Sequence, residues 1–565
     1  MTKQTTKMRL GSGLLVLCIV VALFGALGLA LPLRARAAVE TIQLDTLAGG
    51  ESGNGWSYTA GSPNTLTISA NGDGTGDGFL LNGSPASPIR ILVDTAGPVT
   101  LSSGGAVLTN VYIEVTASTA TLTLADLTLT APATMASAHA LSFSSASGPH
   151  ALSFSGGVSL TGGTNATDNG AGISSVAALT ITGANATSSL TATGGGPATN
   201  RNGGRGIYLT SGNLVLNGAG TLTATGGKGE SAYSGGVGIA TTISGNMTME
   251  AGSALHVTAT GGEGGATNGP GGAGLWASGT LEVLGGSLKA TGGAGHGTFS
   301  AGHGIFCQSA RLAAPTEAYG GSHDGSLTSG AGVCTTVAAG LTVESTLTAQ
   351  GGANTGTGLG GSGILISPEG SFTVSAGAVV NATGGESGDT WGGTGVYMGG
   401  FAGNLNLSGQ LVATGGNSTS AQITSTSGAG MALHNSTSKV VFKVAAARLT
   451  IADGDNAYKR PATQTLPLQN DVPGSTWEVD PIANLITGTP QDVNIAVQSV
   501  ISNPTVITLI LPTPTPTPTP DPGPGSPQTG DNTNIPLWAL CGSLALAGLT
   551  LCGIAARKRF GRKAG

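Results

Sequence analysis

A glycine doublet recurs nine times through the middle of the chain, beginning at Gly162, Gly194, Gly226, Gly261, Gly292, Gly320, Gly351, Gly384 and Gly415. Each closes a short run of the Leu-x-Ala-Thr type, and the intervals are 32, 32, 35, 31, 28, 31, 33 and 31 residues. A second marker, Gly-x-Gly followed by an apolar residue, keeps step with it from Gly172-Ile173 and Gly206-Ile207 to Gly395-Val396 and Gly430-Met431. A period of this size marks a solenoid, in which one unit cannot bury its own apolar face and must stack on its neighbours. Glycine makes up 99 of the 565 residues, against roughly 7% in ordinary chains. It does not recur every third residue, which excludes collagen. With 39% hydrophobic and only 8% charged residues, the composition also argues against disorder.

One unit, Gly206 to Gly227, contains three period-two runs: Ile207-Tyr208-Leu209, Leu214-Val215-Leu216 and Leu222-Thr223-Ala224-Thr225. Ser211-Gly212-Asn213 and Asn217-Gly218 separate them as turns. Three strands and three turns make one coil. The stretch from the doublet to Gly-x-Gly reads as a loop of variable length leaving one edge. The expected fold is therefore all-β: a right-handed parallel β-helix of about nine or more three-strand coils, with glycines at corners that need unusual backbone angles. This pattern resembles the pectate-lyase-like superfamily of carbohydrate-active and adhesive surface proteins. The repeats occupy 151–445. Residues 38–150, with alternating stretches such as Thr65 to Ile68 and Ile89 to Val93, supply first coils and a cap. Residues 446–510, with Thr505 to Leu509, close the other end, since an open terminal coil exposes unpaired strand edges.

Outside the repeats, residues 1–37 have the layout of a signal peptide: Lys3, Lys7 and Arg9, an apolar run from Leu14 to Leu31, then Ala35-Arg36-Ala37. Alternating Pro and Thr from Pro512 to Pro520 open a stalk over 511–525, extended in polyproline II geometry at about 3.1 Å per residue. In 526–565, Ser526-Pro527-Gln528-Thr529-Gly530 precedes an apolar span, Ile535 to Ala556, and a tail with Arg557, Lys558, Arg559, Arg562 and Lys563. A Pro-x-Thr-Gly motif, a span and a basic tail resemble the sorting signal of Gram-positive cell-wall surface proteins, with Ser526 in the place usually held by leucine. The resemblance implies that a sortase cleaves between Thr529 and Gly530 and joins the threonine carbonyl to peptidoglycan. An ordinary single-span membrane anchor is the alternative. Residues 38–529 carry 11 Lys and Arg against 26 Asp and Glu, a net of about −15. Nucleic acid and anionic membrane surfaces are therefore poor partners.

Chemistry-bearing residues are few. Gly302-His303-Gly304 matches a motif of the polygalacturonase family of this fold, but His303 fills the variable slot that Ala171, Arg205, Val237 and Ala273 hold in other coils, and that family's clustered aspartates are missing. No catalytic residue, cofactor or metal is assigned. His296, His303, His323 and Asp324 lie on two adjacent coils and could converge as a metal site or stay as solvated loop residues. Glu230, Glu263, Glu386 and Asp389 sit in equivalent loops and could bind calcium, but their dispersion over several coils argues against one site. Cys307 and Cys334, aligned on Gly304 and Gly332, fall one residue out of register, which points Cys307 inward and Cys334 outward; two free thiols are expected, with a disulfide between the neighbouring coils as the alternative if the shorter coil shifts register.

The position two after each Gly-x-Gly points outward and holds Tyr208, Trp276, Phe306 and Tyr397 among smaller residues. From Tyr208 to Tyr397 is six coil steps, roughly 29 Å at about 4.8 Å per step. Aromatic faces in a row suit sugar rings; packing under a covering segment is the other reading. Two outward threonine columns, Thr191, Thr223, Thr258 and Thr348 beside Thr193, Thr225, Thr260, Thr291, Thr383 and Thr414, resemble the face of ice-binding solenoids, although Lys289, Asn381 and Val412 interrupt the first. The expected function is a wall-anchored, adhesin-like protein that binds glycans or host surfaces without catalysis. A polysaccharide lyase or glycoside hydrolase is the runner-up, and a purely structural wall protein a third reading.

Overall fold

The computed structural model describes residues 40–512, apart from 70–77, 137, 166–168, 197–199, 338–339, 367–369, 389, 400–402, 419–427, 435–436, 455–463, 481–484, 489–491 and 498–503. One compact unit extends to Leu511 and a second begins at Pro512. The expected signal peptide at 1–37, nearly all of the expected stalk at 511–525, and the expected sorting signal at 526–565 with its span at 535–556 lie outside the described residues. Every strand and turn described belongs to a right-handed parallel β-helix or its ends, and no regular helix occurs among them.

Three parallel sheets run the length of the solenoid. The first stacks Asn64–Ile68, Ile89–Val93, Val111–Val115, Leu141–Phe143 and Ile173–Ser175, and continues coil by coil to Met431–Leu433. The second begins with Glu40–Gln43 on Phe79–Asn82 and ends with Val440–Phe442 on Gln464–Asn470. The third runs from Val107–Thr109 to Arg448–Ala452. Coils thus start well before the glycine repeat. Alternation sends Ile207, Leu209, Leu214, Leu216, Leu222 and Ala224 of one coil fully inside. Each stacks on its counterpart above and below, and burying such an aliphatic side chain contributes about 1.5–3 kcal/mol.

Antiparallel strands close both ends. Trp56–Thr59 pairs with Asn64–Ile68 at one end. At the other, Thr505–Ile510 pairs with both Arg448–Ala452 and Thr476–Asp480, while Asp492–Val497 pairs with Gln464–Asn470. These strands occupy edges that another chain could otherwise extend.

The glycine expectation needs correcting. Turn glycines such as Gly212 and Gly218 do have positive φ, 78° and 81°. The glycines of the doublets and of Gly-x-Gly do not; they are required by close approach. A Cβ on Gly236 would collide with the carbonyl oxygen of Gly204, and one on Gly262 with that of Gly227. At the neck of each loop the two glycine pairs of one coil lie against each other and against those of the next. Gly204 donates its N–H to the Gly195 carbonyl at 2.6 Å, and Gly227 of the following coil donates to Gly204 at 2.7 Å. This alternation continues to Gly416 and Gly428. The repeat is thus the signature of a hydrogen-bonded backbone seam with no room for side chains.

Candidate functional site: a cleft beside the glycine seam

The outward position after Gly-x-Gly forms the column that alternation predicts. Ser174, Tyr208, Ala240, Trp276, Phe306, Cys334, Leu365, Tyr397 and Ala432 are paired coil to coil in register. Trp276 is 44% exposed, Tyr208, Phe306 and Tyr397 are half-buried, and Ser174, Ala240 and Cys334 are buried. The column is neither a bare platform throughout nor a covered seam.

Three of its aromatics share a cleft of about 590 Å³, which Tyr208, Trp276 and Phe306 line together with slot residues Arg205, Val237 and His303. Tyr397 does not line it; it stands further along the column, edge-on to His434 with ring centroids 5.3 Å apart. On the cleft's other flank are the residues three before each slot: Asn202, Ser234, Pro270 and Ser300. The loops beyond the glycine seam therefore raise one wall and the first sheet the other.

Within the cleft the aromatics are braced. Trp276 and Phe306 meet edge to face at 5.1 Å, and His303 stacks on Phe306 at 5.5 Å with planes 10° apart. The Arg205 guanidinium lies 3.8 Å from the Tyr208 ring centroid. His303 Nδ1 accepts the N–H of Ala331 at 2.9 Å, and burial pushes the ring's pKa down to about 4. The ring is therefore neutral at physiological pH, with its proton on Nε2 as a donor. His139, in the same slot of an earlier coil, also lines the cleft, and its Nδ1 accepts the N–H of Ala171 at 2.8 Å. Sequence reasoning missed His139 because Ala138-His139-Ala140 lacks the glycines that mark the slot; its spacing before Leu141 was the available signal. Among the described residues, Arg205 has no carboxylate within ion-pair distance and no Asp or Glu lines the cleft.

The remaining candidates are distributed elsewhere. His296 bridges Asp324 at 2.7 Å and Glu263 at 3.1 Å, and Lys228 pairs with Glu263 at 3.0 Å, linking consecutive loops in one ionic network. His323 is buried: its Nδ1 accepts from Gly325 N–H and its Nε2 donates to the Phe299 carbonyl, at 2.9 and 2.7 Å. It belongs to a column of parallel loop bridges that runs from Gly295 through His323, Asn354 and Ser387 to Ser418. The grouping of His296, His303, His323 and Asp324 is thus divided, and no cluster able to hold a metal occurs among the described residues. Glu230 and Glu386 remain on separate coils, and Asp389 lies outside the described residues. The threonine columns stack in register, but Lys289 and Glu317, an ion pair at 3.5 Å, and Tyr319 break both. Cys307 and Cys334 are free and buried, with Cys307 inward and Cys334 in the outward column.

Compared with protein-family models, curated proteins and solved structures, the chain matches none.

Proposed function

We propose that this is a glycan-binding surface protein, tethered to a Gram-positive cell wall and acting without catalysis. The observation that carries the reading is the row Tyr208, Trp276 and Phe306 along a cleft with no carboxylate among its described lining residues. Sugar rings present apolar CH faces to such side chains and hydroxyls to the polar groups around them. Arg205, His303 Nε2–H, Asn202 and the hydroxyls of Ser234 and Ser300 supply those polar partners. Glycoside hydrolysis ordinarily needs two carboxylates across the scissile bond, so the lining favours binding over cleavage. Tethering rests on Ser526 to Gly530, the apolar run 535–556 and the basic residues after it, with the Pro-Thr stretch as a stalk. Sortase and peptidoglycan are the partners this implies.

The test is a glycan array probed with the full-length protein and with a variant carrying Trp276→Ala and Phe306→Ala. Glycan binding that the double substitution removes, at an unchanged melting temperature, supports the reading. An array with no bound glycan, or binding untouched by the substitutions, overturns it.

A further inference from the structure

The flanks of the cleft continue past it. On the loop side, successive residues stack through backbone hydrogen bonds: Gly203 to Ser234, Gly235 to Pro270 and Gly271 to Ser300, and further on Ser329 to Leu359 and Gly360 to Trp391. On the sheet side, Phe306, Cys334, Leu365 and Tyr397 follow one another in register. Trp391 stands three residues before the slot residue Thr394 and Tyr397 three after it, as Ser300 and Phe306 stand about His303. Leu359 and Leu365 hold the same two places about Ser362. Where the first stretch has serine and proline on its loop flank, the second has Leu359 and Trp391, 42% and 44% exposed.

We propose that the cleft is one end of a longer groove that takes a linear glycan lengthwise, with a second sugar-stacking station formed by Trp391 and Tyr397. The inference rests on the glycan reading above. Phe306 and Tyr397 are three coil steps apart, roughly 14 Å at about 4.8 Å per step, farther than one sugar ring reaches. An occupant touching both stations must therefore be a chain. Large apolar side chains left exposed on a soluble flank mark a contact surface when they adjoin one another, and these adjoin a cleft of the same build. A peptide is a poorer occupant, because strand addition needs free backbone groups. Here the flank's N–H and carbonyl groups bond from coil to coil, leaving side-chain faces as the recognition surface.

The experiment probes the full-length protein with immobilised cello-, chito-, manno- and galacturono-oligosaccharides, each from disaccharide to octasaccharide. Affinity should climb with chain length. Trp391→Ala and Tyr397→Ala should each weaken binding of the long chains about tenfold and leave the disaccharides unaffected, while Trp391→Phe, which keeps an aromatic face, restores the long-chain affinity. Length-independent binding, or long-chain binding indifferent to both alanine variants, overturns the inference even if Trp276→Ala still abolishes binding, and the glycan reading then stands. Binding to no glycan of any length overturns both.

Discussion

Gly236 donates its N–H to the carbonyl of Gly227 at 2.8 Å, joining the two ends of one loop at its neck. Gly262 of the next coil then donates to Gly236 at 2.7 Å. The seam built this way sets the loop wall of the cleft against its sheet wall, so it positions the site as well as holding the fold.

Three glycine-to-alanine variants separate close approach from backbone conformation. Gly236→Ala puts a methyl into backbone carbonyls and should cost about 1–3 kcal/mol or more, as overpacking does. Gly252 has φ +85° with open space around it, so its variant should cost about 1 kcal/mol from strain alone. Gly157 has neither constraint and should tolerate alanine. Denaturant unfolding gives the order; equal stability of the Gly236 and Gly157 variants would contradict the seam.

Two histidines should tilt the pH dependence of stability in opposite directions. Burial disfavours charge on His296, but its hydrogen bonds to Asp324 and Glu263 outweigh that and raise its pKa. Its contribution is complete below the unfolded value near 6.5 and is lost as pH rises through the folded pKa. The hydrogen bond from His296 lowers the pKa of Asp324; Glu263 is also lowered, although burial opposes it, by Lys228 and His296. Their contributions are therefore lost only on strong acidification. For His303, at about 4, the unfolded chain takes up the proton first, so stability falls as pH drops from roughly 6.5 towards 4. Melting temperatures across pH should show His296→Gln flattening the alkaline limb and His303→Gln the acidic one.

The two thiols should be inert until the protein unfolds. Burial pushes the Cys334 thiol up to about 12, and Cys307 higher still, leaving almost no thiolate near neutrality. A chromogenic thiol reagent at mildly alkaline pH should react slowly with the native protein and quickly after denaturation. Rapid native-state labelling of Cys307 would mean that its coil opens readily.

Anchoring is tested apart from binding. Thr529→Ala should shift the protein from the covalent wall fraction to membrane or medium, measured by fractionation after wall digestion. Covalent attachment that survives the substitution would dismiss the sorting-signal reading.

Parallel in-register stacking is the reason so much could be read in advance. Each coil repeats the phase of the one before, so alignment on Gly304 and Gly332 already placed Cys307 and Cys334 a residue apart and ordered Tyr208, Trp276, Phe306 and Tyr397 into one outward column. The alternation of Ile207, Tyr208 and Leu209 likewise announced which side chains enter the core. Only the tertiary structure decided why the doublets are glycine, because the colliding carbonyl of Gly204 belongs to a neighbouring coil 32 residues from Gly236. It also decided the fates of three histidines that look alike in sequence: His296 joins two carboxylates, His323 turns into the loop stack and His303 lies on Phe306. The loops that carry or flank them differ in length and composition, and their paths depend on the loops above and below. The second wall of the cleft, and the placing of Trp391 on its continuation, came from that stacking and from no period in the chain.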